Sequence, residues 1–276
     1  MTLAGSMAVQ ALEAASRFGT GDWQRVAVDA HVHLRGDVAL SLQAAAGNFA
    51  VAGNGVDAGA VLLTDSETVD TFRTLYSQGL PHGIYETGEA ISLVSRLGAV
   101  PVLLVAGRQV VTAERVEVLL IGTRDKSADG MPLEAVLRDA EERDVLAILP
   151  WGLGKWVGSR GKLVVNVLAR HRGVMVGDIP ARPRALRAAP LSHSRGVGRR
   201  ILSGSDPLPL PREGDRVGSF GQIVSVRLNS ISPAASLIAA LRSPDTAFDA
   251  YGRRQSLVEM AGLQWALRRQ KKRLAA

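Results

Sequence analysis

The chain contains no cysteine, which excludes disulfides, thiolate metal sites and cysteine nucleophiles and fits a reducing cytoplasm. Aromatic residues are scarce, at 4% of 276 positions, and no nucleic-acid recognition motif accompanies them, so nucleic acid is not the expected partner. Long hydrophobic runs are missing too. The best, residues 99–106, falls far short of the ~20 residues that a bilayer demands, so no membrane partner is expected. The first 19 residues have no basic start ahead of their apolar stretch and do not read as a secretory leader. The spacing of Ala8, Leu12 and Ala15 suggests a short amphipathic helix there instead. No G-x-S-x-G elbow, P-loop or dinucleotide fingerprint occurs, which removes serine hydrolases, P-loop NTPases and Rossmann enzymes.

What is present is an ordinary globular composition, 46% hydrophobic and 21% charged, with a net charge of +7. Five of those excess charges sit together at Arg268, Arg269, Lys271, Lys272 and Arg273, a pattern that usually marks a solvated helix end. Short apolar segments alternate with amphipathic ones along the chain. Strands are predicted at 26–34, 59–64, 100–105, 116–122, 145–149 and 174–177. Helices are predicted at 37–52, 67–78, 89–97, 132–143, 161–170, 180–188, 233–241 and 253–273. A loop dense in glycine and proline spans 204–221. Strand–helix alternation implies a mostly parallel sheet covered by helices, and the economical architecture is a single closed or nearly closed α/β barrel over 26–276. Residues 1–25 form an expected N-terminal helical extension, and the last helices close the C-terminus.

Three segments could carry chemistry. His31 and His33 form an H-x-H on the first predicted strand, and residues two apart on a strand share a face, so both imidazoles can serve one metal ion. The plainer reading is a pair of polar residues at a strand end. Asp65, in Thr64-Asp65-Ser66-Glu67-Thr68 after the second strand, can orient a water or act as general base, or it can simply cap the following helix. Asp206, in Gly204-Ser205-Asp206-Pro207, is a turn residue on its own. In a closed barrel the last strand lies beside the first, and Asp206 would then complete a His-His-Asp triangle.

In this order these segments resemble the PHP family (polymerase and histidinol phosphatase), metal-dependent phosphoesterases on a distorted (β/α)7 barrel. The resemblance is carried by Asp29-Ala30-His31-Val32-His33, by Thr64 to Thr68, and by Val102 to Gln109 with its apolar strand and hairpin. It continues in Val118 to Gly122, in Ile148-Leu149-Pro150-Trp151-Gly152, and in Gly204-Ser205-Asp206-Pro207-Leu208. It covers roughly residues 26–221. It implies a metal cluster with histidines where Ser66 and Leu208 stand and near Trp151, and a glutamate where Gln109 stands. Those substitutes are poor ligands, so a full trinuclear site is not expected. A reduced, mononuclear site on His31, His33 and Asp206 remains, with Asp37 or Asp178 as additional ligands.

The loops at the expected barrel mouth carry cations. Trp151-Gly152-Leu153-Gly154-Lys155-Trp156 offers an aromatic wall at Trp151 and a charge at Lys155, and Arg108 and Arg182 stand at two other strand ends. These read as substrate-binding groups for an anion, or as surface charges and loop packing. The expected function is therefore a hydrolase using one divalent ion (Zn, Mn or Fe, not distinguished) on a phosphate ester or similar small anion, with Asp65 as the catalytic carboxylate. Two alternatives stand beside it: a PHP-like pseudoenzyme without metal that binds or regulates a partner, and an amidohydrolase-type C–N hydrolase, whose superfamily also opens with H-x-H and closes with Asp.

Overall fold

A computed structural model describes residues 23–53, 55–126, 128–152, 154–183, 186 and 188–274. The first strand, β1 (Trp23–Val32), leads into helix α1 (Val38–Ala50), whose first turn is capped by Asp37 accepting a hydrogen bond from the Leu40 amide at 3.1 Å. Strand β2 (Ala58–Leu63) and helix α2 (Thr71–Gln78) follow. The next five strands are β3 (Ile84–Glu86), β4 (Ser92–Ser95), β5 (Val102–Val105), β6 (Gly107–Val111) and β7 (Glu117–Ile121). Helix α3 (Leu133–Glu142), strand β8 (Leu146–Pro150), helix α4 (Ser159–Arg170), strand β9 (Met175–Asp178), helix α5 (Ala189–Gly196) and strand β10 (Ile201–Ser203) form the next run. A short 3-10 turn at Glu213–Arg216, strand β11 (Phe220–Arg227), helix α6 (Pro233–Arg242), strand β12 (Phe248–Gly252) and helix α7 (Leu257–Leu274) complete it.

The strands pair in two sheets. One has seven strands in the order β12-β11-β1-β2-β5-β4-β3, and the other has five in the order β10-β9-β8-β7-β6. Alternate residues of both sheets meet in a central core. Val28, Ala60, Leu103, Ile121, Ile148 and Leu202 pack there, closed at one end by Leu237 and Leu241 of α6. The outer face of the seven-stranded sheet is covered by α1 and α2 through Leu42, Phe49 and Phe72. The outer face of the five-stranded sheet is covered by α3, α4 and α5 through Leu137, Val164 and Leu191. Strands buried on both faces read as unbroken apolar runs, which is why 100–105 and 145–149 were legible as strands.

The expected (β/α)7 barrel is not formed; the described residues make two sheets with no continuous ladder around them. A strand has two hydrogen-bonding edges, and β1 spends one on β2 in parallel and the other on β11 in antiparallel. No edge is left for β10, the parallel strand expected to close the ring. On the opposite side an isolated bridge, Asp65 to Arg108, joins the segment just after β2 to β6. Between β5 and β6 only Ala106 intervenes, and only residues 112–116 separate β6 from β7. Neither link has room for the crossover helix that parallel pairing requires, so β6 and β7 pair antiparallel.

Other expectations change locally. The helix expected at 89–97 is strand β4, which pairs antiparallel with β3 and β5. The described residues of 180–188 are not helical, and helix α5 starts at Ala189 instead. The 204–221 loop contains the 3-10 turn and ends where β11 begins. The expected N-terminal helical extension lies outside the described residues as far as residue 22, and residues 23–25 belong to β1. None of the described helices is long and apolar enough to cross a membrane.

Candidate metal centre

The site begins with a buried carboxylate. Asp29, fully buried in β1, accepts the Ser205 amide at 2.8 Å and the His31 amide at 3.3 Å on Oδ1, and the Gly218 amide at 2.8 Å on Oδ2. Burial pushes its carboxyl up to about 6, against the lowering effect of the bonds from Ser205, Gly218 and His31. One side chain thus ties the strand of His31 to the loop of Asp206, 176 residues away in sequence. The β1–β2 ladder shifts register between Asp29 and Val32, a bulge that re-aims the strand end carrying the two histidines.

Asp206 is held on the same strand end from the other side. Its amide donates to the His31 carbonyl at 2.9 Å, and its backbone lies in the left-handed region at φ 46°, a conformation that aspartate tolerates but that costs energy relative to extended backbone. The His31 Nε2 lies 3.6 Å and the His33 Nε2 3.9 Å from Asp206 Oδ1. The two imidazoles stand edge to face, with ring centroids 5.1 Å apart. Burial, then the neighbouring His31, lowers His33 to about 3, so this imidazole is neutral at physiological pH, the form that ligates a metal.

This donor set fits a divalent ion. Two ligands about 2 Å from one tetrahedral ion lie about 3.3 Å apart, close to the separations here, and one atom from each of His31, His33 and Asp206 falls within 4.8 Å of the others. The His31 Nδ1 is buried and bonded to nothing, so every polar contact of that ring is on its Nε2 side. Two imidazoles and a carboxylate without thiolate match Zn, Mn or Fe chemistry equally.

The remaining candidates are placed as follows. Asp65 lines a recess of about 10 Å³ beside His33, together with Arg35, Ser66 and Val69. Both its oxygens are spent on Thr71, one on the amide at 2.7 Å and one on the hydroxyl at 2.8 Å. Burial raises its carboxyl against those bonds. Arg108 is buried and gives its donors to the carbonyls of Val69 and Arg124 and to the Asp70 carboxylate at 2.8 Å. Arg182 is likewise buried and bonds Asp178 through two nitrogens, each at 2.7 Å. Asp178 is thereby held between Arg182 and Arg254, and its carboxyl falls below its ordinary value even though burial alone would raise it. Asp37 serves as the α1 cap. Trp151 and Trp156 face inward against α4 and the five-stranded sheet rather than walling a cleft.

Lys155 pairs with Glu117, whose Oε1 also takes the Gln109 amide at 3.5 Å, and Gln109 Oε1 lies 3.4 Å from His31 Nε2. A polar chain therefore runs from the Lys155 loop to the histidine cluster. Three contributors were not singled out in the sequence: Asp29, Glu117 and Arg254. Asp29 carried a signal, a charged residue in a strand otherwise buried on both sides. Glu117 and Arg254 carried none, because their partners lie 38 and 76 residues away.

No protein-family model and no curated protein matches the chain. Solved structures do share its fold. PsfC from Pseudomonas syringae PB-5123 superposes with a TM-score of 0.56 at 16% identity, over 91% of this chain and 99% of that one. The lesion-specific endonuclease PfuEndoQ from Pyrococcus furiosus superposes with a TM-score of 0.50 at 12% identity, over 82% of this chain and 58% of that one. A third structure, Endonuclease Q in complex with a 27-mer duplex substrate with an abasic lesion at the active site, superposes at 0.47 and 15% identity, over 80% and 57%. The expectation of a small anionic substrate is corrected here, because the recess beside His33, about 10 Å³, is too small to enclose a small molecule. The chain shares the fold of these structures at low sequence identity, laid out in this molecule as two sheets.

Proposed function

We propose that the chain is a metal-dependent hydrolase that cleaves a phosphodiester of nucleic acid, with one divalent ion on His31, His33 and Asp206. The observation that carries it is the convergence of these three ligand atoms within 4.8 Å, from a strand and a loop far apart in sequence. A recess beside His33 too small to enclose a small molecule suits a polymer that lies across the surface, and a net charge of +7 suits a polyanion. When bound, the ion supplies Lewis-acid chemistry, polarising a phosphoryl oxygen and making water a better nucleophile at neutral pH.

The chain's own groups do the rest. His31 and His33 present imidazole nitrogens, His33 in its neutral form, and Asp206 supplies the charge that balances the cation. Asp29 holds the Ser205 amide and so fixes where Asp206 stands. Arg35, exposed at the rim of the recess beside His33, is placed to take a backbone phosphate oxygen. Asp65 anchors the start of α2 at the recess and acts by positioning that wall.

The test is metal content of protein purified without chelator, with a His31→Ala control, followed by cleavage of single-stranded, duplex and abasic oligonucleotides. About one equivalent of ion, lost in the variant, with chelator-sensitive cleavage of at least one oligonucleotide, is the expected result. Absence of metal under every loading condition would remove the hydrolase reading. Bound metal with no cleavage of any oligonucleotide would remove the nucleic-acid substrate.

A further inference from the structure

A cavity of about 1130 Å³ lies away from the candidate metal centre. Strands β8, β9 and β10 run parallel. Their C-terminal ends lead to Trp151, Asp178 and the Gly204–Asp206 turn, whereas the cavity opens at their N-terminal ends. One wall is apolar and includes Val174, Met175 and Phe248. The other carries Arg172, Arg199 and Arg200.

The positive charge on that wall is not neutralised. Arg199 donates only to main-chain carbonyls, those of Leu168, His171, Arg172 and Val174, and Arg200 only to those of Ser243 and Thr246. Carbonyls satisfy hydrogen bonds but carry no net charge to cancel a guanidinium. The Arg199 Nε is buried with no partner at all. The Arg172 guanidinium is exposed, with no hydrogen bond and no ion pair among the described residues, and raises the local positive field at Arg199. The acids on the wall are engaged elsewhere: Asp144 pairs with Arg242 and Glu141 with His171. Asp245 approaches Arg200 without forming an ion pair. The Arg200 guanidinium also stacks 4.3 Å over the Phe248 ring, so the cationic and apolar walls meet along one edge.

Three cations without a carboxylate partner beside an apolar wall, in a cavity at the upper end of ligand-pocket volumes, have the chemistry of a site for a dianion attached to an organic body. We infer that this cavity binds an organic phosphomonoester of about nucleotide size, its phosphate on Arg172, Arg199 and Arg200 and its body against Val174, Met175 and Phe248. The site is separate from the metal centre and does not depend on the function proposed for it.

The test uses the full chain, with adenosine 5′-monophosphate and glucose 6-phosphate as probes, adenosine as the uncharged control, and titration calorimetry and melting temperature as readouts. The expected result is that at least one phosphomonoester binds and raises the melting temperature while adenosine does not. Arg172→Gln, which removes no internal contact, should weaken that binding on the order of tenfold or more and leave the free protein's melting temperature unchanged. Val197→Trp, at an exposed cavity-lining position, should block the site by bulk. His31→Ala should leave binding intact. Binding that is unchanged in both Arg172→Gln and Val197→Trp, binding abolished by His31→Ala, or no binding of either phosphomonoester at millimolar concentration would each overturn the inference.

Discussion

Gly204 lies so close to His31 that a β-carbon on it would fall 2.3 Å from the His31 amide nitrogen. The loop that delivers Asp206 is therefore seated on the histidine strand itself, and glycine is the residue that lets the two backbones approach.

Gly204→Ala should push this loop away from β1 and separate Asp206 from both imidazoles. Metal affinity, measured by competition with a chromophoric chelator, should fall about 10- to 100-fold, the range typical of outer-shell changes around a metal site. Unchanged affinity would mean that Asp206 is not a ligand or that the loop relaxes freely.

Asp29→Ala should cost stability as well as metal binding. It leaves the amides of Ser205, Gly218 and His31 buried without an acceptor, and an unsatisfied buried donor costs roughly 1–3 kcal/mol. Urea unfolding should show a loss of at least about 2 kcal/mol. A loss under 1 kcal/mol would show that water or a relaxed loop replaces the carboxylate.

Asp178→Asn should destabilise the molecule by about 3–5 kcal/mol, because it leaves the Arg182 and Arg254 charges without their shared carboxylate. Burial works against the charged form, but the two guanidiniums win and the folded carboxyl lies below its unfolded value of 3.8. The stability it contributes is present above that unfolded value and lost as pH falls through the lower folded one. The gap between wild type and variant in chemical denaturation should therefore narrow only in strong acid. A gap already closed at pH 5 would contradict the assignment.

His171 titrates in the opposite sense. Partial burial lowers it, but bonds to Glu134 and Glu141 prevail and raise its folded value above 6.5. Its contribution is fully present below the unfolded value and disappears as pH rises through the folded one. His171→Gln should lower the melting temperature more at pH 6 than at pH 9, and equal losses at both would show that the ring acts only by packing.

The site was legible in the sequence to the extent that it is local. His31 and His33 are two apart on one strand end, and strand geometry puts both imidazoles together whatever the rest of the chain does. The Asp37 cap, the Leu133–Glu142 helix and the buried strand at 146–150 were likewise written in spacing and flanking residues. Segment 89–97 was misread because its apolar residues suit either period, and pairing with β3 and β5 decided for a strand. For Arg108 and Arg182 a sequence shows the cation but not its counter-ion, and folding supplies Asp70 and Asp178 as partners.

By itself, then, the sequence determined most of the strands and helices and the placing of His31 and His33 on one strand end, because both follow from contacts within a few positions. Tertiary structure alone decided that β11 takes the edge of β1 on which a closed barrel depends, and that Asp29 grips the loop of Asp206. It also decided that three arginines gather around a cavity without acids to match them. Those outcomes depend on competition between distant segments for the same hydrogen-bonding edges and the same buried charges. That competition is settled only when the whole chain has packed.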